Sequence, residues 1–210
     1  MESKVKGQHI IPITYLKKFC SVQNKDKLYV LNKQTSKTIL TSPESIGKIN
    51  EFYELVKENQ VLEKLFSDFE KNYNFLFDKM ILGIDKLNKE EQSLLARFIS
   101  LQWLRTESVK NTWSGISQHL LKRFDGKIEP NVKKQIESLL DQDNIRNTNK
   151  GFILENFAFF AEIILKMKWI LIINKTSKPY WTSDNPVVLY NPDKNGSLGL
   201  TSLKIQLFFP

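Results

Sequence analysis

Cys20 is the only cysteine among 210 residues, which excludes a disulfide framework and a thiolate metal cluster. It follows Phe19 on an apolar face, so a buried, inert thiol is expected. No apolar run approaches the roughly 18 residues that a membrane span requires, and Trp169–Ile173 is far too short. The opening MESKVKGQHI has no apolar core of the kind a signal peptide carries. The chain therefore reads as a cytoplasmic protein with no membrane contact. A glycine-rich phosphate loop, HExxH, a Cys/His metal spacing and GxSxG are all absent, which disfavours nucleotide-driven enzymes and zinc enzymes. No helix-turn-helix or RNA-recognition pattern marks a simple binding module, and there is no internal repeat or low-complexity tract.

What is present is an ordinary globular composition, 41% hydrophobic and 26% charged, with 14 phenylalanines that suggest an aromatic-rich core. Lys and Arg outnumber Asp and Glu by 31 to 23, a net charge of +8. That excess favours polyanions such as nucleic acid reached through a basic surface. The lysines are scattered, however, and a chain rich in Asn, Lys and Ile carries such an excess without any functional cause. The length suits one domain, 1–210. Its parts are an N-terminal helix and hairpin (1–58), a helical core (59–167) and C-terminal strands (168–210). Oligomeric state is not legible.

In chain order, Pro12 suits the first turn of a short helix that follows an extended piece holding His9. Lys27–Asn32 and Lys37–Ser42 read as a hairpin, Ser42-Pro43-Glu44-Ser45 as a brief helix, and Phe52–Leu55 as a third short strand. Asn59–Leu87 is amphipathic, with Leu62, Leu65, Phe66, Phe69, Tyr73, Leu76, Phe77 and Met80 on one face and Glu63 and Glu70 on its flank. Asn88 and Glu91 form a capping box that opens one long helix to Phe124. After Pro130–Leu140, Asp141–Lys150 lacks periodicity and reads as a loop. Phe152–Lys166 is apolar almost all round, a helix between layers. Trp169–Ile173, Pro179–Thr182, Val187–Tyr190 and Leu200–Pro210 read as strands. The expected fold is α+β, a bundle of long helices packed with short antiparallel strands from both ends of the chain.

The helix Asn88–Phe124 contains the anomaly. Leu94, Leu95, Phe98, Val109, Trp113, Ile116 and Leu120 share one stripe, and Gln102 and Arg105 fall inside it. A guanidinium in a core must be paired, because an unpaired buried charge costs several kcal/mol or more. Glu63, Glu70, Glu155, Glu162 and Asp184 are candidate partners, and the alternative is a site that accepts an anion. Locally, His9 reads as an ordinary terminal histidine and Asp184 as a turn residue. Trp103, Trp113 and Trp181 could stack bases, but at their spacing they read as core.

Three segments together resemble a bacterial family of unknown function, the domain family numbered 4238. They are His9, Pro12, Tyr15, Leu16 and Phe19 in HIIPITYLKKF, Gln102, Arg105 and Thr106 in LQWLRT, and Thr182–Val187 in TSDNPV. Phe52-Tyr53 followed by Glu63 and Glu70 is similar to the family's middle region. The resemblance covers nearly the whole chain and implies that His9, Gln102, Arg105 and Asp184 belong to one set. It brings no established activity. It also implies a continuation past the strand that here ends Phe208-Phe209-Pro210, which leaves open a missing C-terminal piece.

If that set converges, the expected function is a nucleic-acid-directed hydrolase that cleaves phosphodiesters, in the setting of a toxin or phage-defence effector. His9 would be general base or acid. Arg105 would bind phosphate through a two-pronged contact, and Asp184 would orient His9 or bind a cation. Gln102, Asn185 and Tyr15 are candidate substrate contacts. A variant assisted by a divalent cation would recruit Glu63 or Glu70 with Asp184. The alternative function is a non-catalytic recognition or assembly protein whose buried polar residues only hold helix and sheet together.

Overall fold

The computed structural model describes residues 7–21, 23, 26–53, 60–124, 126–190 and 206–209, with the side chains of Trp113 and of 206–208 also outside the description. The fold is α+β: among the described residues six α-helices are accompanied by three two-stranded antiparallel sheets. Strand β1 (Gly7–His9) pairs with β4 (Lys48–Asn50), setting His9 opposite Lys48. β4 takes the place of the strand expected at Phe52–Leu55: Phe52 and Tyr53 lie just past it, and Glu54 and Leu55 lie outside the described residues. The hairpin of β2 (Leu28–Asn32) and β3 (Lys37–Thr41) forms as read. Its turn is fixed by Asn32, whose side chain accepts from the backbone N–H groups of Gln34 and Thr35. Helix α1 (Ile13–Leu16) starts after Pro12.

Helix α2 (Val61–Met80) buries Leu62, Phe66, Tyr73 and Leu76, while Leu65, Phe69, Phe77 and Met80 pack against them. It stops short of the expected Leu87, because Gly83 takes a positive φ of 142° that a side chain would resist. Helix α3 (Lys89–Leu104) opens on the expected capping box: the Asn88 side chain accepts from the Glu91 N–H at 2.9 Å, and the Glu91 carboxylate accepts from the Asn88 N–H at 2.8 Å.

The single long helix does not form. It breaks at Arg105-Thr106, and α4 (Glu107–Arg123) begins anew with Thr106 as its cap, Oγ1 accepting from the Val109 N–H at 3.4 Å. Neither glycine nor proline marks the break. A hydroxyl that can satisfy a helix N-terminus competes with the continuing helix, and periodicity does not register that competition. Beyond the break the stripe is not a core face, and Ile116 and Leu120 are exposed.

Helix α5 (Pro130–Ser138) is followed by α6 (Gln142–Lys166), which absorbs most of the loop expected at Asp141–Lys150. Asp141 caps it by accepting from the N–H groups of Asp143 and Asn144. α6 packs along α3 and α4, with Ile153 and Ala161 buried there and Ser100 Oγ donating to the Phe157 carbonyl at 2.9 Å. Each large apolar side chain sealed in this core contributes about 1.5–3 kcal/mol. After α6 the expected strands Trp169–Ile173 and Pro179–Thr182 are not paired in a sheet among the described residues. Strand β5 (Val188–Tyr190) pairs with β6 (Gln206–Phe208); residues 200–205 of the expected final strand lie outside the description. Of the tryptophans, Trp103 packs edge-on against Phe160 at 5.0 Å, whereas Trp181, expected in the core, is 75% exposed. Among the described residues no helix is long and apolar enough to cross a membrane.

Candidate functional site

The break between α3 and α4 places Arg105 at the C-terminus of α3, where it is 1% exposed. Its Nε donates to the Ile10 carbonyl at 2.9 Å and its Nη1 to Glu70 Oε1 at 2.8 Å, while the guanidinium stacks 4.8 Å over the Phe66 ring. The partner its burial demands is therefore Glu70 of α2. Glu155, Glu162 and Asp184 are exposed. Two of the five guanidinium N–H donors are held by protein in this way. Nη2 remains, buried and without a hydrogen-bond partner.

Around this guanidinium the structure gathers the N-terminal segment. Tyr53, fully buried, donates its hydroxyl to the Arg105 carbonyl at 2.5 Å, and its N–H donates to Gln8 Oε1 at 2.6 Å. Burial pushes the Tyr53 phenol far above its ordinary range, with Glu63 and Glu70 adding to the rise and Arg105 opposing it. Tyr53 is accordingly a neutral donor at any ordinary pH. Gln8 and Tyr53 carry no local signal in the sequence, because both bind backbone or bury an aromatic ring, which many residues do.

His9 sits beside Ile10, in the electrostatic reach of Arg105, Glu70 and Lys48. Burial holds its imidazole below the ordinary histidine range, Lys48 and Arg105 lower it further, and a hydrogen bond to the Glu44 backbone together with Glu70 opposes them. Nε2 is buried with no partner. A neutral ring that donates from Nδ1 keeps a lone pair on Nε2 and can accept a proton there. Gln102, one turn before Arg105 on α3, is 1% exposed, and neither its amide oxygen nor its nitrogen has a partner. His9 lies within electrostatic reach of Arg105, Gln102 precedes Arg105 by one turn on α3, and each of the three has a buried polar atom without a partner. Native cores leave few such atoms.

The other candidates lie differently. Tyr15 is fully buried and its hydroxyl hydrogen-bonds Thr182 Oγ1 at 2.7 Å, while its ring stacks on Phe209 at 5.2 Å. It ties the TSDNPV segment to α1. Asp184 is exposed in the bend that follows, and the charges acting on His9 do not include it. Asn185 is half-buried, with its backbone N–H bonded to Ser183 Oγ at 3.1 Å. Among the described residues no three His, Cys, Asp or Glu side chains are grouped to hold a metal ion. Glu70 is already committed to Arg105, and Glu63 lies half-buried on the same helix. Cys20 is partly exposed, and burial first, then Asp26 and Glu44, raise its thiol.

Compared with known families, residues 7–210 match the model described as Protein of unknown function (DUF4238). The chain belongs to that family. Neither the curated proteins nor the solved structures gave a match. The DUF4238 match spans all three quoted segments and the Phe52-Tyr53 region, so the contacts of Tyr15, Arg105 and Tyr53 lie within the matched stretch.

Proposed function

We propose that this DUF4238 chain is a hydrolase that cleaves phosphodiesters of nucleic acid, with His9 as its general base. One observation carries the reading: the half-buried imidazole of His9, beside Arg105 and held below the ordinary histidine range by burial, has Nε2 buried with no hydrogen-bond partner. That arrangement suits proton abstraction near neutral pH. Nε2 takes the proton of an attacking water, the water oxygen bonds to phosphorus, the bond to the leaving oxygen breaks, and that oxygen takes a proton from solvent. Arg105 supplies fixed positive charge beside the reacting phosphate, with Nη2 free of any hydrogen-bond partner. Glu70 and the Ile10 carbonyl hold the guanidinium in place, and Gln102 orients the water or a phosphate oxygen. The net charge of +8 favours a polyanionic substrate.

The test is cleavage of labelled single-stranded RNA and DNA at neutral pH by the wild-type chain and by His9→Gln. Cleavage by the wild type and at least 100-fold slower cleavage by a variant with an unchanged melting temperature is the expected result, from the usual weight of a general base. A wild-type chain that cleaves neither substrate, or a variant as fast as the wild type, overturns the reading. A second reading is favoured by the near-complete burial of Arg105 on Glu70: the polar set only locks helix to strand, in a recognition or assembly protein.

A further inference from the structure

A second polar cluster lies where α4 packs on α6. Lys110 of α4 donates its ammonium to the Phe52 carbonyl at 3.1 Å and lies 4.1 Å over the Phe52 ring. Arg146 of α6 donates Nε to the Glu51 carbonyl at 2.9 Å and Nη1 to Asp143 at 2.6 Å. Two consecutive carbonyls therefore hold two cations side by side. Glu51 sits at a φ of +48°, a left-handed conformation that is uncommon outside glycine. Burial first and then the charge of Arg146 lower the Lys110 ammonium, with Glu107 opposing.

Asn149 follows Arg146 by three residues and so shares its face of α6. It is 0% exposed, and neither its amide nitrogen nor its oxygen has a hydrogen-bond partner. An amide sealed from water without partners costs about 1–3 kcal/mol, while Lys110 is half-buried and the Arg146 side chain keeps 13% of its surface exposed. An ammonium carries three N–H donors and a guanidinium five, more than the bonds to Phe52, Glu51 and Asp143 use. Two cations with N–H donors to spare and, one helical turn along α6, a buried amide without a partner make the donor set of an oxyanion site.

We propose that Lys110, Arg146 and Asn149 bind a phosphate group, taken either from a nucleic-acid backbone or as free phosphate. The two cations neutralise its charge, and the Asn149 amide donates to one oxygen. Arg105 and His9 take no part, so the site stands whether or not the chain hydrolyses anything. The probe is inorganic phosphate, followed by melting temperature against sodium chloride at matched ionic strength. The wild type and His9→Gln are expected to gain several degrees in phosphate. Lys110→Met, which keeps the contact with the Phe52 ring, and Asn149→Leu, which fills the same volume without polar atoms, are expected to lose that gain while remaining folded. No gain in the wild type, or an equal gain in all four proteins, overturns the site. Where the gain is present, a short oligonucleotide that displaces phosphate from the wild type assigns the group to a nucleic-acid backbone; phosphate binding unaffected by the oligonucleotide assigns it to free phosphate.

Discussion

Replacing Arg105 with Met removes a cation while keeping most of its stem, and the contacts around it set the size of the effect. Glu70 loses its partner at 2.8 Å, the Ile10 carbonyl loses a donor at 2.9 Å, and the Phe66 ring loses the charge stacked 4.8 Å above it. Breaking a buried ion pair by removing one partner costs about 3–5 kcal/mol, because the remaining charge stays in the core. The Glu70 side chain is 25% exposed, so water recovers part of its solvation and the ion-pair loss falls toward the lower bound. The stranded Ile10 carbonyl adds about 1–3 kcal/mol. These losses overlap, and the expected total is about 3–5 kcal/mol. For a chain of this size, that is a fall of roughly 6–20 °C in melting temperature. The assay is urea unfolding of Arg105→Met, Glu70→Gln and the double variant. Because the two side chains touch, the double variant should be less destabilised than the sum of the singles by about 1–3 kcal/mol. A loss below about 1 kcal/mol for Arg105→Met, or strict additivity, would refute the reasoning.

Tyr53→Phe removes the hydroxyl that satisfies the Arg105 carbonyl and should cost about 1–2 kcal/mol in urea unfolding. Asn88→Ala breaks the capping box of α3 and should cost about 1 kcal/mol, with the loss of helix visible by circular dichroism. His9 has its folded pKa below the unfolded value of 6.5, so below that value the unfolded chain binds more protons than the folded one. Its contribution to stability is full above pH 6.5 and is lost as pH falls toward and through the folded pKa. Unfolding measured from pH 8 to pH 5 should therefore show a steeper acid loss in the wild type than in His9→Gln, and parallel profiles would contradict the burial of a neutral ring.

Arg105 shows how much of the site the chain announces and where the announcement stops. Its position in an apolar stripe requires a partner, and Glu70 on the flank of α2 is that partner. The second contact, to the Ile10 carbonyl, has no letter in the sequence, because every residue carries a carbonyl. The same holds for Lys110 and Arg146, which bind the carbonyls of Phe52 and Glu51. Asn149 was hidden for a different reason. It lies in a polar run with no periodicity, and that run becomes helix only through the Asp141 cap and packing against α4. The helix faces of α2 and α3 were legible because apolar spacing alone decides them. The strands expected at Trp169–Ile173 and Pro179–Thr182 had the right composition, but β propensity becomes a strand only where a partner strand supplies the ladder.

The ionisation state of His9 at neutral pH bears most directly on the central claim that this imidazole is a poised base. It can be read by nitrogen-detected NMR of the folded chain, with His9→Gln used to assign the signal. A neutral ring protonated on Nδ1 at pH 7 is the expected result. An imidazolium at pH 7, or a neutral ring protonated on Nε2, would contradict it, because neither form has a lone pair on Nε2 to accept a proton.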